Sequence, residues 1–341
     1  VHQGLLESLD AYLPTSNYVK NDDMLWPILD LYKVDGKLYA LDKDFSADMT
    51  LYYNQQLFGN AGLADLSPTE PLTFDQLKAL SYKLTKKDDA GKATQWGFGV
   101  VDFAAVSFQM MLRSAGAQFY ANDGLSLDLE DNPTANDAAN WWVDAARESE
   151  YAFGVPNDPW HAGKVGIFQA GYWFGPMAAI TQQAQGSDIQ SGNVAVKSTS
   201  IVGFAPAPIY GSKRVNTSLA TGFAMLAASK HKDAAWKVLE YYMDGPPSIT
   251  RTKAGWGLPS RKSFFQYHPQ ATAFDRLRYD VTVAEAAYVV PQYPNSYNET
   301  AVWDAWNQNF ADAAAGKVST KEFLHNVDHD TTVKLQAAAA K

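Results

Sequence analysis

Lys164-Val165-Gly166-Ile167-Phe168 is a short apolar run, and Gly171-Tyr172-Trp173-Phe174-Gly175-Pro176 follows it with three aromatic rings between glycines. A run this short, bounded by glycine, reads as a strand that ends in a shaped loop. The pattern recurs: residues 37–41, 49–53, 96–101, 201–205 and 222–227 are further candidate strands bounded by Gly, Pro or Asp. Helical runs alternate with them. Thr73-Phe74-Asp75-Gln76 and Ser319-Thr320-Lys321-Glu322 each satisfy the capping box, and Asn132-Pro133 sets an N-cap before a proline at the first helical position. The helix expected over 230–243 carries Ala234, Ala235, Val238, Leu239 and Tyr242 on one face, predicted to lie against a sheet, and Gly245-Pro246-Pro247 closes it. Alternating strands and helices predict an α/β fold with mostly parallel sheets flanked by helices.

The chain has 341 residues, room for about two domains. No linker or composition shift divides it, so the two domains are expected to exchange the chain more than once, with a ligand cleft at their boundary. Lys and Arg total 28 against 37 Asp and Glu, a formal charge of −9, which removes the electrostatic footprint of nucleic-acid binding. No stretch reaches the ~20 apolar residues of a membrane span. Cysteine is absent, which excludes disulfides, thiolate metal sites and cysteine nucleophiles. The surplus is aromatic, with 10 Trp, 18 Tyr and 17 Phe, more rings than two ordinary cores require. Residues 1–9 read as a helix already under way, with Leu5, Leu6 and Leu9 at helical spacing, and sequence is expected upstream; the alanines at 337–340 read as a fraying end.

Several chemistries fail on spacing. Gly97-Phe98-Gly99 lacks the third glycine of a dinucleotide fingerprint, because Asp102 stands in its place. His325 and His329 stand at i and i+4, but Asn326 replaces the glutamate of a zincin, so a surface helix is expected and no metal. Asn122-Asp123-Gly124, with Asp128, Glu130 and Asp131 after it, lacks the alternating ligands of a calcium loop and reads as a hairpin turn. No G-x-S-x-G elbow occurs. A glycosidase needs only two carboxylates across a sugar, which 37 acids leave open, and a peptide, polyamine or metal complex is a further ligand class. The distinctive feature is aromatics beside glycines: the run at 171–176, Gly255-Trp256-Gly257-Leu258-Pro259, and Trp303 with Trp306 on a short amphipathic helix. Trp306 and Phe310 follow Trp303 at helical spacing, so at least two of these three are expected in a core. Flat rings flanked by glycine turns would otherwise serve as platforms for the C–H face of a sugar, with Asp, Asn, Gln and Arg taking its hydroxyls.

In order along the chain, Asp35-Gly36-Lys37-Leu38-Tyr39-Ala40-Leu41, Leu51-Tyr52-Tyr53-Asn54-Gln55-Gln56-Leu57-Phe58, Ala61-Gly62-Leu63 and Thr73-Phe74-Asp75-Gln76-Leu77 are followed by Gly166 through Trp173. Thr221-Gly222-Phe223-Ala224, Ser229 through Trp236, and Gly257-Leu258-Pro259-Ser260-Arg261-Lys262-Ser263 complete the series. This series resembles the extracellular solute-binding proteins of carbohydrate ABC importers, the family that includes the maltose-binding protein. The strand–helix–strand units that open family members have no counterpart here, and Leu41 stands where the family usually carries proline.

The resemblance implies a two-lobed periplasmic-binding-protein-like fold, each lobe a mostly parallel sheet flanked by helices. One lobe would comprise 1–45 and 222–280 and the other 46–221 and 281–341, with hinges near 44–48, 218–222 and 280–286. It implies a non-catalytic protein that binds a sugar, expected to be an oligosaccharide, and delivers it to a membrane permease. The protein would be an exported monomer, periplasmic or lipid-anchored, without a cofactor. Carried over by position, Trp173 matches the family's stacking ring, Trp303 looks like a second, and Asn307 like its polar partner. Asp102 and Phe103 resemble contacts at a strand end, where ligands of α/β sheets gather. Asp44, Phe45 and Asp48 would face the cleft from the hinge, Gly222 would let backbone approach the ligand, and Trp256 and Arg261 would complete the set.

Overall fold

The computed structural model describes residues 1–100, 104–121, 124–149, 159–183, 195–218, 220–291 and 300–340. The strands fall close to where the apolar runs placed them. In the smaller unit lie β1 (Lys33–Val34), β2 (Lys37–Leu38) and β3 (Ala40–Asp44). In the larger lie β4 (Leu51–Asn54), β5 (Lys86–Lys87), β6 (Ala93–Val100), β7 (Val165–Gln169), β8 (Ile180–Gln183), β9 (Ala195–Ser198) and β10 (Val202–Ala205). The last three are β11 (Asn216–Ser218), β12 (Thr221–Ala224) and β13 (Val289–Pro291). The helix starts obey their local signals. Thr73 and Gln76 exchange both bonds of the capping box, Ser319 takes the Glu322 amide, and Asn132 caps the helix Pro133–Ser149 by accepting from Thr134 and Ala135.

The main sheet has the order β10-β4-β7-β6-β5. Its pairing corrects the expectation of mostly parallel strands: β6 and β7 are parallel, while β10·β4, β4·β7 and β5·β6 are antiparallel. The reason is the route of the chain. β4 carries the chain into this unit between β10 and β7, so it runs against both, while β6, β7 and β10 share one direction. The start of β4 therefore meets the carboxyl ends of three strands, with Leu51 opposite Gln169 and Ala205, and Gln169 opposite Val100.

The cores divide accordingly. A large cluster joins Met49, Leu51, Phe98, Phe108, Trp141, Trp142, Trp306 and Phe323, and a second, behind the opposite sheet face, joins Tyr52, Trp160, Phe174 and Phe204. The smaller unit centres on Leu9, Met24, Leu38, Leu41, Met225, Trp236, Leu239 and Met243. The helix Ala273–Glu285, expected to stay with the smaller unit as far as residue 280, packs on the larger one, because Phe274 and Val281 are buried with Tyr52 and Phe204. Ser260 and Lys262 still bond to Leu25 and Asp23 in the smaller unit, so the chain changes side between 264 and 272, ahead of the 280–286 expected.

Two further expectations are corrected. Residues 1–9 form turns and a bridge rather than a helix: Gly4 is left-handed, and Leu6 pairs with Leu226. On the helix Lys232–Asp244 the buried side chains include Trp236, Leu239 and Met243. Val238 and Tyr242 are exposed and line, with Phe223 and Leu226, an open apolar groove of about 610 Å³ beside β12. That helix reaches its sheet through a face turned by one residue, because the rings of Trp236 and Tyr12 stack 5.5 Å apart and fix its rotation. Asn122 and Asp123, expected in a hairpin turn, lie outside the described residues; Tyr120 and Leu127, before and after them in the chain, form an antiparallel bridge.

Candidate binding cleft

Three segments run side by side between the units. Asp48 donates its amide to Thr217 on β11 at 3.0 Å, Met49 donates to Asn216 Oδ1 at 3.1 Å, and β11 pairs in parallel with β13. Glu285, fully buried, holds them together. It accepts from Asn216 Nδ2 at 2.8 Å, from the Ala207 amide at 3.3 Å, and from Arg214 in an ion pair of 2.6 Å. A buried charge needs this degree of pairing to be retained.

The loop after β7 opens onto this seam, and the start of β4 fixes it. Thr50 Oγ1 donates to Ala170 O at 2.6 Å, Gln169 Nε2 to Met49 O at 3.2 Å, and the buried Tyr52 hydroxyl to Gly171 O at 3.0 Å. Trp173 follows, half-buried at the margin of the second core, and its indole Nε1 donates to Asp48 Oδ1 at 3.1 Å. Ser46 Oγ donates to the same carboxylate oxygen. A side chain at Gly171 would collide with Asp48, Trp173 and Ser46 together, so glycine there is a condition of the close approach. Two residues singled out in the sequence, Asp48 and Trp173, thus meet: the carboxylate sets the angle at which the ring presents itself.

The other named residues have these places. Asp44 ends β3, paired with Lys43 at 3.3 Å and packed against Gly257, which brings the loop carrying Trp256 beside the first crossing. Phe45, 1% exposed, is buried with Ile28 and Leu258, and its backbone pairs with Leu258. Trp256 is 45% exposed. Arg261 is held by Asp23 at 2.8 Å, donates to Asp244 O at 2.8 Å and lies over the Phe264 ring, so its donors serve the smaller unit. Gly222 lies exposed in β12, opposite Asp42. Trp303 stands half-buried on the helix Ala301–Ala314 against the large core, and Asn307 is exposed one turn on. Trp306 and Phe310 on that helix are buried. Asp102 and Phe103 lie outside the described residues. Ser46, Tyr52 and Arg278, which shape the cleft loop, carry no local signature that would have marked them. His325 and His329 are exposed on their helix, and among the described residues no cluster suited to a metal ion occurs.

Behind Asp44 lies a buried acidic group. Burial, with Asp44 and Asp244 nearby, pushes the Asp42 carboxyl well above the ordinary range, and burial raises Asp244 to about 7 despite Arg261 and Arg251. Burial and the Arg278 charge lower His268 to about 4. The signs oppose. A carboxyl raised in the fold keeps a proton that the unfolded chain releases, so its contribution declines from about pH 4 to 7; a histidine lowered in the fold contributes above pH 6.5 and is lost towards pH 4. For Asp244→Asn, the Tm difference from the unaltered protein is expected to grow in favour of the variant from pH 4 to 7 and then level off. A difference independent of pH in thermal melts would refute the assignment.

The profile of the bacterial extracellular solute-binding proteins matches residues 2–244. A comparison with curated protein sequences finds no match. Among solved structures, an ABC substrate-binding protein of Listeria monocytogenes in complex with cycloalternan superposes with a TM-score of 0.78 at 19% identity, over 98% of this chain and 81% of that one. A solute-binding protein of Agrobacterium vitis with bound D-mannitol gives 0.71 at 21%, over 98% and 82%. The maltose/maltodextrin-binding domain of Bdellovibrio bacteriovorus bound to maltotriose gives 0.70 at 17%, over 98% and 81%. The two-lobed fold is common to all three.

Proposed function

Because this chain belongs to the bacterial extracellular solute-binding proteins, we propose that it binds a carbohydrate of oligosaccharide size between its lobes and passes it to the permease of an ABC importer. The observation that carries the reading is the Trp173 ring, oriented by Asp48 at the edge where the carboxyl ends of β6, β7 and β10 meet the start of β4. Ligands of α/β sheets gather at such edges. A half-buried indole with its nitrogen already bonded offers a flat face to the C–H side of a pyranose. With it we propose as binding residues Asp44, Asp48, Trp256, Trp303 and Asn307, together with Asp102 and Phe103, which follow β6 in the sequence. A sugar that touches both lobes favours closure by its differential affinity for the closed form, through the crossings at 44–49, 216–221 and 264–272. The solved structures bound to cycloalternan, D-mannitol and maltotriose support the ligand class.

Binding without chemistry fits the carboxylates. Asp48 is taken by Ser46 and Trp173, and Asp42 and Asp244 are buried in the smaller unit. Membership of the family makes the protein an exported one, and among the described residues no helix is long and apolar enough to cross a membrane. We place it in the periplasm or on a lipid anchor, as a monomer.

A thermal-shift screen against mono- and oligosaccharides, followed by calorimetry, tests the reading. The expected result is a Kd near the micromolar range, about 8 kcal/mol, with the sugar recovered intact after prolonged incubation. New reducing ends would establish a glycoside hydrolase instead, and no shift with any sugar would remove the carbohydrate reading.

A further inference from the structure

We propose that Arg278 is a positioning residue that locks together the two glycine-flanked aromatic loops, setting Trp256 on one lobe against Trp173 on the other; its bearing on ligand affinity rests on the carbohydrate reading above. Arg278 lies on the helix Ala273–Glu285, 2% exposed. Its guanidinium carbon stands 4.2 Å from the centre of the Tyr172 ring and 5.6 Å from that of Phe274. Its Nη2 donates to Gly255 O at 2.9 Å. One side chain thus touches the residue before Trp173 and the residue before Trp256.

The glycines of both loops make room for this group. A side chain on Gly175 would fall on the guanidinium, and one on Gly255 would stand 2.9 Å from Nη2 and 3.1 Å from Pro269 Cγ. Gly255 is also left-handed, with φ of 71°, where a side chain is strained in any case. Two motifs that look independent in the sequence, Gly171 to Gly175 and Gly255 to Gly257, converge on one cation.

The pairing is sparse for a buried charge. Among the described residues no carboxylate pairs with Arg278, and its Nε has no partner. A guanidinium taken from water at this cost, with two aromatic rings, the Tyr172 hydroxyl and one carbonyl in return but no opposite charge, adds little to stability. Its geometry does something else. The bond to Gly255 O fixes the plane of the Gly255–Trp256 peptide, and the stack on Tyr172 ties that plane to the Trp173 loop. Gly257 against Asp44 and the Phe45–Leu258 pairing hold the far side of the same loop. Trp256, exposed between these anchors, is thereby held in a set orientation beside the first crossing.

Hydrogen exchange on the ligand-free protein tests the coupling. In Arg278→Gln, exchange is expected to rise at 255–258 and at 171–175 together. Gly175→Ala, which displaces the guanidinium from the opposite lobe, should raise exchange at 255–258 and add nothing in the Arg278→Gln background. Arg278→Lys keeps a cation and one donor but loses the planar stack, so it guards against a folding failure and should show a smaller rise at the same places. Exchange that rises only around the substituted residue overturns the proposal. With maltotriose as probe, Arg278→Gln and Trp256→Ala should each weaken binding about fivefold and the pair no more than either alone; additive losses also overturn it. An unaltered protein that does not bind maltotriose tells against that sugar in the function proposed above, and the exchange pattern then decides the role of Arg278.

Discussion

Trp173→Ala is expected to raise the Kd for the sugar identified in the screen at least about tenfold, which is about 1.4 kcal/mol, while the protein stays folded. The ring is half-buried at the edge of its core and meets Phe174 edge-on at 6.0 Å, so its removal costs some packing but opens no enclosed cavity. What disappears is the face itself and the donor that Asp48 receives at 3.1 Å. Trp173→Phe separates these. It restores a flat face without the indole nitrogen, and it should recover part of the affinity but not the fixed orientation. Titration calorimetry on both variants decides the matter. Equal affinity of Trp173→Ala and the unaltered protein would mean that the ligand lies elsewhere.

The two tryptophans of the helix Ala301–Ala314 are expected to answer oppositely. Trp306 is 1% exposed, stacked on Phe310 at 5.4 Å and in contact with Phe108 and Phe323, both at 4.9 Å. Trp306→Ala removes the centre of that aromatic group and should cost about 3–5 kcal/mol, the range for a large aromatic cut from a core. A fall in Tm on the order of 10 °C follows. The indole nitrogen of Trp306 has no acceptor among the described residues, so Trp306→Phe should recover most of the loss. Trp303 stands three positions earlier, half-buried at the margin of the same core. Trp303→Ala should leave Tm within a few degrees and weaken sugar binding. If Trp303→Ala instead destabilises the fold as Trp306→Ala does, and affinity is unmoved, Trp303 is core and leaves the binding set.

The strands, the helix caps and the burial of Trp306 and Phe310 were legible because their signals are local. A run of apolar residues, a hydroxyl three positions before Gln76 or Glu322, and helical spacing act within one or two turns, and tertiary packing had no cause to override them. Sheet direction was not legible. Nothing in residues 51–54 says that β4 will run between β10 and β7 against both. Nor could spacing tell which face of the helix Lys232–Asp244 would be covered, since two apolar stripes lie side by side and the packing of Trp236 selects one. The side taken by the helix Ala273–Glu285 was decided by Phe274 and Val281 meeting Tyr52 and Phe204, more than 200 positions upstream in one case and about 70 in the other.

By itself the sequence determined an α/β chain without cysteine, basic stripe or membrane span, whose glycine-flanked rings form a set suited to a flat, hydroxylated ligand. The tertiary structure decided which of those residues act together. Asp48 and Trp173 are 125 positions apart, and Arg278 reaches Gly255 across 23 and Tyr172 across a longer stretch. The physical reason is that periodicity and capping are set by bonds between near neighbours, whereas a ring's orientation in a cleft depends on a hydrogen bond that exists only after distant segments have packed.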